Sequence, residues 1–193
     1  MAAPESTSIK NLSGKWVLNS ALSGDIDGVL TIQGIGYAYR TAITTSTITL
    51  HCKHFTDDEG EHIDIRQVST AYIPWFKSET EEKRHPDGQW RDHEDYLFGK
   101  VKGQTKWVEL AGYEDPTEDK FLKTGWLPET ENGDVIMSYV EREDETWNAT
   151  QIWGFEEING ERRYARHILV KAKDGKEKKI RLVYDYAGSD VDY

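Results

Sequence analysis

The segment Arg162-Arg163-Tyr164-Ala165-Arg166-His167-Ile168 places three arginines, a histidine and a tyrosine within seven residues. In an extended chain, alternate side chains point to opposite faces. If Tyr164 and Ile168 point inward, Arg166 does too, and a buried arginine needs a carboxylate or a polar ligand group as partner. If Ala165, His167 and Leu169 point inward, His167 becomes the internal polar group. An internal ion pair or an exposed arginine accounts for the same residues, so both registers stay open. Further along the chain of candidates, His51 and Lys53 share one face, and Cys52 and His54 share the other. Only one of these faces can line an interior. Asp92-His93-Glu94-Asp95-Tyr96 sets several proton carriers side by side, with Asp92, Glu94 and Tyr96 on one face of a regular strand. Groups of these kinds polarise carbonyls and transfer protons. Glu79-Thr80-Glu81-Glu82 reads as a solvated strand face.

Other chemistries find little support. The histidines, at 51, 54, 62, 85, 93 and 167, form no His-x-x-x-His pair and no Cys/His cluster, so no metal is expected. Cys52 lacks an activating neighbour and reads as a small buried hydrophobe. There is no nucleophile elbow, P-loop or dinucleotide fingerprint, and Gly34-Ile35-Gly36 reads as a helix break. No cofactor is expected. The net charge of -11 argues against nucleic acid and against stable association with an anionic membrane. The densest basic cluster, Lys176, Lys178, Lys179 and Arg181, fits the outer face of one strand and its turn. A single cysteine excludes an intrachain disulfide. Residues 1–10 carry no hydrophobic signal segment, and no apolar run has the length of a membrane span. A cytoplasmic location follows as the expectation, and the sequons at Asn11 and Asn148 read as coincidental.

What positions the candidate groups is a series of strands. The chain of 193 residues suits one domain, 1–193, with loose ends at 1–8 and 188–193. Residues 14–18 alternate polar and apolar. Ser23-Gly24-Asp25 offers a helix N-cap. Ile26, Val29, Leu30 and Gln33 then sit at helical spacing. After Gly34-Ile35-Gly36, Tyr37, Arg40, Thr41 and Thr44 share one face of a second short helix. From residue 46 the pattern is strand and turn. Strands are predicted at 47–55, 62–72, 76–85, 90–100, 105–110, 121–127, 135–143, 147–155, 162–172 and 180–186. Turns fall at 57–60, 86–88, 103, 132–134, 159–160 and 174–175. The fold class is all-β: a single antiparallel up-and-down β-barrel of about ten strands, with a helix-turn-helix lid after the first. Closure removes the edges that an open meander would leave unpaired.

The segment Leu12-Ser13-Gly14-Lys15-Trp16-Val17-Leu18 resembles the opening strand of the intracellular lipid-binding, or fatty-acid-binding, proteins, and its Gly-x-Trp is similar to that of lipocalins. Asp25, Val29-Leu30 and Gly34-Ile35-Gly36-Tyr37-Ala38-Tyr39-Arg40 resemble that family's helical lid. The match covers about the first 45 residues, and Arg181-Leu182-Val183-Tyr184 resembles the closing strand more loosely. The resemblance implies that Trp16 plugs one end of the barrel. It also implies an Arg-x-Tyr carboxylate clamp pointing inward on the last strand. Tyr184 fits the tyrosine position, but Leu182 stands where the arginine would be, and Arg181 falls on the opposite face. Poor binding of fatty acids and a less acidic ligand are therefore expected. The opening and the length also resemble small fungal lipocalin-like pericyclases, including hetero-Diels–Alderases that join a tropolone-derived quinone methide to a macrocyclic terpene.

The expected function is to hold a small apolar, partly aromatic molecule and to catalyse a cycloaddition or isomerisation in secondary metabolism. The alternative is a non-catalytic carrier of a lipid or terpenoid. A protein-interaction module is disfavoured, because the aromatic residues are spread through the strands. The polarising candidates are Tyr184, Arg166, His51 and Tyr39. The candidate ligand-lining residues are Tyr37, Ile65, Gln67, Tyr96, Trp107, Trp126, Tyr139, Trp153, Tyr164 and Leu182. A homodimer is compatible with the sequence.

Overall fold

A computed structural model describes residues 1–70 and 77–191. Strand β1 (Gly14–Leu18) leads into helices α1 (Ile26–Ile32) and α2 (Tyr37–Thr44). Strands β2 (Thr47–Asp57), β3 (Gly60–Thr70), β4 (Lys77–Arg84), β5 (Arg91–Asp95) and β6 (Gly99–Glu109) follow. A long connection carries one short helix, α3 (Pro128–Glu131). Then come β7 (Asp134–Arg142), β8 (Trp147–Ile158), β9 (Glu161–Ala172) and β10 (Glu177–Gly188). The described strands make one antiparallel sheet in the order β4-β3-β2-β1-β10-β9-β8-β7-β6-β5. Every neighbour is sequential except β1 and β10, whose pairing joins the two ends of the meander.

The curled sheet is a half-barrel, not a closed ring. Among the described residues β4 and β5 share no backbone ladder. Side chains cross the gap instead. Arg84, on β4, donates to Ser138 Oγ at 2.8 Å and to Thr105 Oγ1 at 3.2 Å. At the other end of the gap, the Ser78 hydroxyl meets the Tyr96 hydroxyl.

The period of two sorts the side chains. Trp16 pairs with Leu50 and Tyr186, Leu182 with Arg166, and Arg166 with Trp153, so all of these share the inner face. At the closed end, Trp16, Leu12, Leu50, Ile63, Phe155 and Tyr164 form a fully buried core. At the other end α1 lies against β9 and β10. There Val29 packs with Ile168, Val170, Ile180 and Trp147. Asp25 caps α1 by accepting from the Gly28 amide at 2.9 Å. Helix α2 buries no residue fully and reaches the core through half-buried Ile43.

Several elements depart from the sequence expectation. The strand predicted at 90–100 is cut by a turn at residues 96–98, because Gly99 takes φ +70°, which side-chain-bearing residues rarely adopt. Gly103, read as a turn, lies inside β6 opposite Arg91. A Cβ there would stand 2.8 Å from the Tyr139 carbonyl oxygen, so the glycine permits close approach of two strands. No strand forms at 121–127. That stretch belongs to a segment, 110–133, folded over the outside of the sheet. Leu110, Leu122 and Trp126 pack there on the outward residues Val135, Met137, Ile152, Ala165 and Leu169. The strands are thus apolar on both faces where this second layer covers them.

The first eight residues are not loose. Ala3 is buried and its amide donates to the Arg162 carbonyl at 2.7 Å, while the Met1 carbonyl accepts from the Tyr186 amide at 3.0 Å. β10 stays paired as far as Gly188, opposite Lys15. The predicted strand residues 71, 72 and 76, and the tail residues 192 and 193, lie outside the described residues.

Candidate functional site

Three inward strands bring chemistry to the middle of the barrel. β9 contributes Tyr164 and Arg166, β10 contributes Leu182 and Tyr184, and β4 contributes Glu82 and Arg84. Arg166 lies directly opposite Leu182 on one side and Trp153 on the other. Its guanidinium sits 3.9 Å from the centre of the Trp153 ring and 5.4 Å from that of Tyr184. The flat cation over aromatic faces is an attractive arrangement. Its Nε donates to the Tyr164 hydroxyl at 2.8 Å. Neither Nη1 nor Nη2 has a hydrogen-bond partner among the described residues, and Nη2 is fully buried. Among the described residues Arg166 also makes no ion pair, although only 8 % of the residue is exposed.

The neighbouring charges are differently committed. Glu82 binds Arg84 through two bonds, 2.6 and 2.9 Å long. Burial works against its charge, but Arg84 beside it, then Arg166 and His93, hold its carboxyl below the ordinary range. Its side chain nonetheless keeps 42 % of its accessibility on the inner face of β4, the strand beside the β4–β5 gap. Inward Gln67, Thr80, Gln151 and Leu182 are likewise only half-buried. Above Arg166 toward α1, the inner face is apolar: Ile168, Val170, Ala149 and Ile180. That apolar end is filled by packing against α1. The half-buried inner stretch, polar at Gln67, Thr80, Glu82 and Gln151 and apolar at Leu182, is the candidate chamber, with the cation and rings around Arg166 as its floor.

Tyr184 completes the floor. Its ring stacks on Tyr164 at 5.2 Å, and its hydroxyl bonds to no described residue. Burial pushes its pKa above the ordinary phenol value, against the pull of Arg166, so the phenol remains a neutral donor at ordinary pH. Cys52, also inward, has its thiol pushed up to about 12 by burial. Thiolate is the reactive form. Folded protein should therefore resist labelling by iodoacetamide at pH 8, and labelling should appear only with denaturant. Rapid labelling of native protein would contradict the inward placement of Cys52.

The sequence candidates divide by face. The inner face holds Arg166, Tyr184, Ile65, Gln67, Trp107, Trp153, Tyr164 and Leu182. Trp107 lies toward the closed end, where its indole donates to Glu61 at 2.7 Å and Glu61 also meets His54. His51 is on the outer face between Lys15 and Arg66, which corrects its assignment to the interior. The partner face, Cys52 and His54, lines the barrel. Tyr139 and Trp126 are also outside. Tyr139 borders a surface groove of about 290 Å³ together with Trp90 and Tyr113. Trp126 stacks on His167 at 3.9 Å. Tyr37 and Tyr39 stand on α2, 75 % and 53 % exposed, and do not face the chamber. Tyr96 is in the turn after β5, 61 % exposed, and bonds across the β4–β5 gap.

His167 is outward as well. Its Nδ1 faces the Phe121 carbonyl at 2.8 Å, and its Nε2 meets buried Glu156. Arg181 binds the other Glu156 oxygen at 3.0 Å. This network pins the outer segment to the barrel. Glu82 and Arg84 were missed as site residues. The available signal was their spacing: two residues apart on one strand, they must share a face.

An up-and-down half-barrel with a two-helix lid and an internal polar floor defines a lipocalin-like barrel of the fatty-acid-binding type. Solved structures agree on the fold. The fluorescent protein UnaG aligns with a TM-score of 0.54 at 13% identity, over 91% of this chain and 97% of its own. The REP1-NXSQ fatty acid transporter aligns with a TM-score of 0.51 at 16% identity, over 94% and 98%. No protein-family model matches the chain. In sequence, the chain is 30% identical over 192 residues to pericyclase pydY of Acremonium sp, covering 97% of this chain and 98% of that one. It is 27% identical over 188 residues to a protein of Mollisia scopiformis named "Probable pericyclase scpY", covering 97% and 95%. The chain belongs to the family of pericyclase pydY.

Proposed function

We propose that this protein is a cofactor-independent pericyclase that folds an apolar, unsaturated substrate into a reactive arrangement inside the half-barrel. The observation that carries the reading is Arg166: a buried cation whose Nη2 has no hydrogen-bond partner among the described residues, beside the Tyr184 phenol, on an inner face where Gln67, Thr80, Gln151 and Leu182 are only half-buried. Leaving a buried donor unpaired costs about 1–3 kcal/mol, more for a charged group. Such a cost is characteristic of sites that wait for a partner. A pericyclic reaction needs no nucleophile or metal. It needs two π systems held within reach, which removes an entropic barrier. It gains further if a donor withdraws electrons from a carbonyl conjugated with one of them.

In this scheme the chamber wall orients the chain, and Arg166 with Tyr184 grips a carbonyl oxygen at its end. Polarisation of this kind suits a Diels–Alder or hetero-Diels–Alder reaction, whose electron-poor partner carries that carbonyl. The terpenoid and tropolone substrates implied by the sequence resemblance are one chemistry compatible with such a chamber. A lipid or terpenoid carrier would share the chamber but show no turnover.

The test is gene deletion in the producing organism followed by reconstitution. A pericyclic step conserves atoms, so the precursor that accumulates should equal the product in summed mass, and purified protein should convert it to one stereoisomer. A precursor of different composition, or no acceleration over buffer, would replace this reading by the carrier.

Tyr184→Phe deletes one hydroxyl and keeps the ring. The rate should fall by about ten- to a thousandfold, as for other preorganised donors. Arg181→Ala is the control. Arg181 faces outward, so the rate should hold, although loss of its bond to Glu156 should lower the melting temperature. Loss of rate in Arg181→Ala at a temperature where it remains folded, with none in Tyr184→Phe, would reverse the assignment of faces in β10.

A further inference from the structure

We infer that the substrate is a neutral chain bearing two separated carbonyl-type oxygens, and that Gln151 is the residue that selects the second of them. This deepens the pericyclase reading, in which Arg166 and Tyr184 grip the first oxygen, and it rests on the same inner face.

Trp153 is wholly buried, and two guanidinium groups flank its ring, Arg166 at 3.9 Å and Arg84 at 5.4 Å from the centroid. An indole nitrogen can only donate. Here it donates to Gln151 Oε1 at 3.1 Å. That bond settles which way the glutamine amide faces. Its oxygen turns to the indole, and its NH2 group turns away. The Gln151 nitrogen has no hydrogen-bond partner among the described residues, and it keeps accessible surface on the inner face, where the residue is half-buried. A freely rotating amide could serve as donor or as acceptor. This one is oriented in advance as a donor, so it calls for an acceptor oxygen. Gln151 is uncharged, so it discriminates by hydrogen-bonding capacity and asks for no carboxylate.

The register sets the spacing of the two oxygens. Arg166 lies directly opposite Trp153, so Gln151 is its diagonal neighbour on the same face. Diagonal neighbours stand about 7–8 Å apart, a distance that an extended carbon chain covers in about five or six bonds. The residues directly across from the two anchors are apolar: Leu182 opposite Arg166, and Ile168 opposite Gln151. A chain that is hydrocarbon except at two positions matches this surface. A chain with a single oxygen would cover the Gln151 donor and leave it unpaired, and sites built around a buried donor reject such analogues.

The probes are dodecane-2,7-dione and dodecan-2-one, neutral chains of equal length that differ by one carbonyl. Each is titrated into protein loaded with the neutral dye Nile red, and the loss of dye fluorescence reads its affinity. Gln151→Met is nearly isosteric and apolar. It should lower the ratio of dione to ketone affinity by about tenfold, because the covered carbonyl loses its donor, while changing ketone affinity by less than about threefold. Trp153→Phe keeps a ring beside Arg166 but removes the N–H that orients the amide. Its ratio should fall between those of wild type and Gln151→Met, and it keeps the question open to measurement if Gln151→Met folds poorly. An unchanged ratio in Gln151→Met would overturn the inference. Equal losses for both ketones would also overturn it, since they would mark a merely structural role. A wild-type ratio in folded Trp153→Phe would overturn the orientation of the amide by the indole. Failure of both ketones to displace the dye from wild type would overturn the neutral substrate itself. None of these results depends on turnover, so this failure is distinguishable from failure of the pericyclase reading.

Discussion

Leu182→Trp should reduce product formation by more than about a thousandfold, a larger loss than any single donor deletion. Leu182 points inward directly opposite Arg166 and is half-buried, so its side chain is only partly covered by its neighbours. An indole there occupies the volume in which the reacting ends of the substrate must meet. Holding two groups in a near-attack arrangement is worth up to about 7–11 kcal/mol, whereas one preorganised donor is worth about 2.7–4 kcal/mol. Removing the space should therefore outweigh removing the Tyr184 hydroxyl. The added bulk costs about 1–3 kcal/mol of stability, which a typical domain tolerates. The check is the initial rate and stereoisomer ratio at saturating substrate, alongside a thermal melt by circular dichroism. Wild-type rate and stereochemistry in a folded Leu182→Trp protein would show that reaction takes place elsewhere.

Much of the frame was legible in the sequence, and the reason is local. β1, the Asp25 cap, the helix break at Gly34 and the Asn159-Gly160 turn are set by a few neighbouring residues, so pattern and turn chemistry suffice. The interior of β9 was not settled, because the segment 110–133 buries its outer face. Ala165 and Leu169 pack outside as firmly as Tyr164 and Val170 pack inside. A strand covered on both faces shows no alternation to read. The same holds at β2, where Leu50, His51 and Cys52 are all buried, and it explains the misplacement of His51. Trp126 and Tyr139 were assigned to the chamber as large aromatics, yet they serve the outer layer. No sequence pattern announces such a layer, since it depends on a long connection folding back. Glu82 was hidden by company. Glu79 and Glu81 are solvated, so the run looks like one polar surface, although parity turns every second member inward.

Trp16→Ala should lower the melting temperature by about 6–20 °C. Trp16 is wholly buried and is the point where both ends of the meander meet, since β1 pairs with β2 on one side and β10 on the other. Its ring contacts Tyr164 at 5.2 Å and Tyr186 at 5.1 Å, and its indole donates to the Leu12 carbonyl at 2.9 Å. Truncating a buried tryptophan costs about 3–5 kcal/mol, and the Leu12 carbonyl is left without that donor. For a domain of 150–250 residues, each kcal/mol moves the midpoint by about 2–4 °C. Trp16→Phe keeps an aromatic plug, loses the hydrogen bond, and should show roughly half the shift. There is a consequence for the site as well. Trp16 supports Tyr164, and Tyr164 holds Arg166 through its Nε bond. Trp16→Ala, measured where it is still folded, should therefore slow product formation by displacing Arg166, while Trp16→Phe should change the rate little. A Trp16→Ala protein that melts within about 2 °C of wild type would mean that the closed end is not held together by this residue. A folded Trp16→Ala protein that keeps the wild-type rate would separate the plug from the placement of Arg166.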